Sequence, residues 1–188
     1  MRTFNTFNER IASRIAFLCL AAMTMTAGGA AAAGTNEAED VAVLLQSGRY
    51  QEALNRIDAL PEESRNQPQI RLYRGTALMA QDRQAEALRA FEALAADHPE
   101  MPEPFNNMAV IQAANGQYGE ARLLLRQSLR ADAGYSVALE NIGDVYVKLA
   151  NQTYARLRTL DPNRKSAKAR HEAVQKVARL VDHPPKAR

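Results

Sequence analysis

Three stretches of this chain say nearly the same thing at intervals of 34 residues: GRYQEAL from Gly48, DRQAEAL from Asp82 and GQYGEAR from Gly116. A period of this length marks a stack of like units, each able to bury its apolar side only against a neighbour. The same step carries Ala53 to Ala87, Ala121 and Ala155, and Ile57 to Phe91 and Leu125. It also carries Gly75 to Ala109 and Gly143, and Leu60 to Leu94. Small residues recur where two helices must touch closely, and large apolar ones recur where a third space must be filled. Each unit therefore reads as helix, tight turn, helix. Gly48 and Gly116 supply the positive φ that stops the first helix, and Tyr50 and Tyr118 open the second. The middle copy departs, with Asp82 and Gln84 in those places. Composition agrees: the chain has no Trp and few aromatics, and is rich in Ala, which suits close-packed helices better than a sheet.

The period, the small-residue pairs and the GxYxxA turn resemble tetratricopeptide repeats. The resemblance covers about residues 36–162 and is strongest in PEPFNNMAVIQAANGQYGEARLLLRQSLRAD, from Pro102 to Asp132. Two places depart from the family pattern. Arg71, Phe105 and Leu139 stand where a first helix usually begins with Trp, and the closing Pro99 becomes Ala133 one unit later. The fold implied is all-α: a tetratricopeptide-type helical-hairpin solenoid of three regular repeats, a degenerate fourth and a C-terminal capping helix.

The fourth unit breaks the pattern. Its turn reads Ala-Asn-Gln at 150–152, and Leu139, Ile142, Tyr146, Leu149, Thr153, Leu157 and Leu160 continue one helical face across it. The spacing predicts one long helix over about Val137–Leu160. Beyond Pro162, Ala167, Ala173 or Val174, Val177 and Leu180 or Val181 fall on one side of a helix expected to cover the open end of the stack.

Ahead of the repeats, Arg2, Arg10 and Arg14 precede an uncharged run from Ile15 to Gly34, with Ala31 and Ala33 in a small-x-small pattern. That layout is expected of a secretory signal peptide, an uncleaved anchor being the alternative. The expected organisation is residues 1–33 signal peptide, 34–162 solenoid, 163–182 basic capping helix and 183–188 a disordered tail. Cys19, the one cysteine, lies in the apolar run after Leu18, which disfavours lipidation, so the mature chain would carry no thiol. From Gly34 to Pro162 there are 13 Lys and Arg against 18 Asp and Glu; from Asn163 onward there are 8 against 2. The basic last helix is read first as a solvated capping face, and otherwise as a contact for acidic lipid head groups or an acidic protein surface.

Catalytic patterns are missing. His98, His171 and His183 are dispersed, and there is no Gly-rich phosphate loop or GxSxG elbow, so no enzyme activity, cofactor or metal is expected. Nucleic acid is not expected as a partner, since aromatics do not interleave with the basic residues.

A binding surface remains. The family resemblance implies a concave groove lined by first helices: Leu72, Tyr73, Thr76 and Met79, then Asn106, Asn107 and Val110, then Glu140, Asn141 and Asp144. Asn107 and Asn141 stand 34 apart, and an amide that both donates and accepts suits the backbone of an extended peptide. The alternative is that these asparagines bind helix backbone or water between repeats. With Glu140 and Asp144 present, the expected peptide is neutral or basic. LENIGDVYVKLANQTYARL is similar to stretches of bacterial envelope repeat proteins, so the expected role is an exported, periplasmic or secreted adaptor with a protein partner. The alternatives are a self-associating structural component, that is a homo-oligomer, and the repeat subunit of a system whose catalytic domain is a separate chain.

Overall fold

The structure, a computed structural model, describes residues 32–182. Most of the expected signal peptide, Cys19 included, and the tail at 183–188 lie outside the described residues. Among those described, the chain is helix after helix: α1 (Ala32–Gln46), α2 (Tyr50–Asp58), the single turn α3 (Glu62–Arg65), α4 (Pro68–Ala80), α5 (Gln84–Asp97), α6 (Pro102–Ala114), α7 (Tyr118–Ala131), α8 (Ser136–Leu160) and α9 (Lys165–Asp182).

The repeat period sets these boundaries to the residue. First helices begin at Pro68, Pro102 and Ser136, and they end at Gln46, Ala80 and Ala114; second helices begin at Tyr50, Gln84 and Tyr118. Proline at the first helical position loses no hydrogen bond, because that N–H has no intrahelical partner, and its fixed φ already suits the helix. At the other end, Gly48 and Gly116 take φ of 71° and 74°. Asp82 takes the same left-handed turn at 60°, the one non-glycine among the described residues to do so. The turn geometry therefore persists where the glycine does not, and the Asp82 carboxylate accepts a hydrogen bond from Gln84 Nε2 at 2.8 Å. In the first unit Pro61 stops α2 short, and α3 fills the interval before α4.

Packing follows the small-and-large alternation. Ala53, Ala87 and Ala121 are fully buried, as are Ile57 and Phe91, with Leu125 almost so. A methyl group on Gly75 would stand 2.8 Å from Phe91 Cδ1, so α4 and α5 touch at a distance only glycine permits. Ser128 on α7 is buried and donates to the Pro102 carbonyl at 2.8 Å, which ties the end of one helix to the start of its partner. The core runs without interruption from Val41 to Ile111, and a second cluster continues through Ala121 and Leu125 to Val145.

The long helix is continuous: α8 runs 25 residues through Ala150. The apolar face expected along it is divided, however. Ile142 is buried with Ala138 and Val145 against α6 and α7, and Leu149 is half-buried there. Leu139, Tyr146 and Leu160 are exposed, because no second helix folds back over them. α9 returns along the second half of α8 and turns Ala167, His171 and Ala178 inward, with Val174 and Val181 half-buried. Of the positions expected on its inner side, Val177 and Leu180 are exposed instead. Two polar contacts fix this docking: an ion pair between Lys148 and Asp182, and the Arg158 guanidinium at 3.3 Å from His171 Nδ1.

Candidate peptide-binding groove

Successive first helices touch one another more closely than successive second helices do, which makes α1, α4, α6 and the first half of α8 the inner wall. Each inner helix packs against its own second helix and both neighbouring units, so more of its circumference is buried than the outward face of a lone hairpin. That crowding decides which of the expected groove residues are reachable.

Leu72, Thr76, Met79 and Asn106 are buried and form the substance of the wall rather than its surface. Thr76 turns its hydroxyl back to the Leu72 carbonyl at 2.9 Å. Tyr73, Asn107, Val110, Asn141 and Asp144 are half-buried, and Glu140 is exposed. Tyr73 and Val110 also rest on the core, so they present one edge each.

The asparagines are connected differently from their spacing. Asn141 Nδ2 donates to Asn106 Oδ1 at 2.8 Å, and Asn106 Nδ2 donates to Asn107 Oδ1 at 3.3 Å. Asn106, only 1% exposed, is thus the link of an amide chain that joins α6 to α8. Burying an amide without partners costs about 1–3 kcal/mol, which is why the buried residue takes both neighbours. The 34-residue step sets Asn107 and Asn141 on the same side of neighbouring first helices, but the hydrogen bond that joins those helices runs from Asn141 to Asn106, 35 residues apart, so Asn141 is engaged between repeats. The outer ends of this chain are the Asn107 amide nitrogen, a donor, and the Asn141 amide oxygen, an acceptor.

Burial pushes the Tyr135 phenol well above its ordinary range, and the carboxylates of Glu103 and Asp132 push it the same way. Among the described residues no cluster of three or more His, Cys, Asp or Glu could hold a metal ion. No described helix is long and apolar enough to cross a membrane.

A family model described as Tetratricopeptide repeat matches residues 42–102 and, overlapping, 72–136, together half of the chain. The chain belongs to the tetratricopeptide repeat family. Repeats of this family serve in general as non-catalytic scaffolds for protein–protein interaction, which fits a wall that offers amide and carboxylate groups. Neither the curated proteins nor the solved structures contain a match to this chain.

Proposed function

We propose that the protein is an exported adaptor that holds an extended, neutral or basic protein segment along the inner wall of its repeats, in the assembly or maintenance of a bacterial envelope. The observation that carries the binding mode is the amide chain. Its buried middle, Asn106, holds Asn107 and Asn141 in fixed relation on neighbouring helices. A pre-set donor and acceptor match a peptide backbone without regard to side-chain sequence, and little conformational freedom is lost on binding. Glu140 and Asp144 beside them favour a basic segment and oppose an acidic one. Export rests on the basic, apolar and small-residue succession in residues 1–33.

Affinity capture from a cross-linked periplasmic fraction tests this reading, with wild-type protein beside the Asn107→Ala, Asn141→Ala variant. A specific protein retained by the first and lost by the second supports the groove. Equal recovery by both would move the binding surface elsewhere, with the basic α9 as the next candidate.

A further inference from the structure

The fourth unit lacks its turn for a reason visible at one residue. Ala150 occupies the register position of Gly48, Asp82 and Gly116, all three of which are left-handed. A left-handed φ costs an ordinary L residue roughly 1–2 kcal/mol, so at Ala150 the helix continues instead. The consequence is an unfilled slot. In the second unit Gly75 is covered by Phe91, 16 residues later, and in the third Ala109 and Leu125 share one core at the same separation. Gly143, the next member of that series, has no atom within 4 Å of where its Cβ would stand. The residues that should reach it, at 159–160, are carried about 25 Å along the straight helix. Leu160 there is 73% exposed.

The slot belongs to a longer strip. Leu139, Gly143, Tyr146, Ala150, Leu157 and Leu160, with Thr153 between the last three, alternate steps of four and three and lie along one side of α8. Nothing on this strip is charged. α9 occupies a different flank, the one that carries Lys148 and Arg158; on the strip Leu139, Gly143, Tyr146, Thr153 and Leu160 are exposed, and Ala150 and Leu157 are half-buried.

We propose that a second copy of this chain covers the strip: two α8 helices pack antiparallel about a two-fold axis near Asn151. Leu160 of each copy then fills the slot at Gly143 of the other, Leu157 lies over Tyr146, and Thr153 lies beside Ala150. Two observations select a second copy over a foreign helix. A two-fold interface requires a surface complementary to itself, and this strip sets its small residue at 143 opposite its large one at 160 when read from the other end. The pairing also restores, between chains, the contact that Gly75 and Phe91 make within one, so the axis falls at 150–152, where the turn is missing. Exchange of an identical element between copies is a low-cost route to a dimer, and an uncharged strip buries no unpaired charge in making it. The inner wall is not used, so this inference is independent of what the groove holds.

Sedimentation equilibrium over micromolar concentrations tests the proposal, and twice the chain mass is expected. Gly143→Arg, which meets open space in the single chain, should raise the dimer dissociation constant about tenfold or more with the circular dichroism unchanged. Leu160→Glu should do the same. In a chain carrying Cys19→Ser, the pair Gly143→Cys and Leu160→Cys should oxidise to a covalent dimer, because 17 residues of helix, about 25 Å, separate the two thiols within one copy. A wild-type monomer throughout, a dimer indifferent to both Gly143→Arg and Leu160→Glu, or the absence of a covalent dimer on oxidation would each overturn it.

Discussion

Glycines 75 and 143 hold the same place in the repeat, and alanine should affect them in opposite directions. At Gly75 the added methyl meets the Phe91 ring, so Gly75→Ala should lower stability by about 1–3 kcal/mol, the ordinary cost of overpacking. At Gly143 of the single chain it meets nothing, so below the dimer dissociation constant Gly143→Ala should raise stability by about 1 kcal/mol through helix propensity alone. Urea unfolding of the two variants beside wild type measures both. The turns obey a parallel rule. Asp82→Gly should stabilise by up to about 1 kcal/mol, since Asp82 holds φ of 60° and its bond to Gln84 is exposed. Gly48→Ala should destabilise by about 1–2 kcal/mol, although the space around Gly48 is empty. Here conformation rather than contact decides, and a difference in denaturation midpoint without a change in slope would show it.

The first helices of this chain end where Gly48, Asp82 or Gly116 takes the left-handed turn and continue where no such residue stands. α8 is the outcome of that rule, and amide hydrogen exchange should find residues 148–153 as protected as the helix on either side. A run of fast exchange at 150–152 would mean that the turn forms after all. The second half of α8 depends on α9, whose inward residues are small apart from His171. Removal of residues 165–188 should therefore leave α4 to α7 protected while the amides of 154–160 exchange rapidly, because the repeat units stack through nearest neighbours. Lys148→Ala should loosen the same end by less than about 1 kcal/mol, as expected of a partly exposed ion pair with Asp182.

At the scale of the molecule, the proposed export has a checkable product: protein isolated from the cell envelope should begin at Gly34, as read by N-terminal sequencing. Within the folded chain, the division between what was readable and what was not follows the range of the forces. Helix boundaries, turns and the small-and-large series of Ala87, Phe91 and Gly75 are set by local backbone preference and by a period that repeats in the sequence. They could therefore be read from residues 34 apart, and so could the unbroken α8, since alanine cannot comfortably make the turn. Burial is different. Leu72, Thr76 and Met79 look like groove residues by register and lie within the wall, because α1, α2, α5 and α6 all converge on α4. Asn106, rather than the periodic pair alone, joins the two inner helices: the contact between them falls one residue off the period. Tyr146 and Leu139 share a stripe with Ile142 and Leu149, yet only the side turned to α6 and α7 is covered, since no second helix folds back over the other. By itself the sequence determined the unit, its turns and the place where the repeat fails, all matters of local conformation. Only the tertiary structure decided which amides are linked, which apolar residues remain open and where the empty slot lies, because each depends on the angle and distance between helices far apart in the chain.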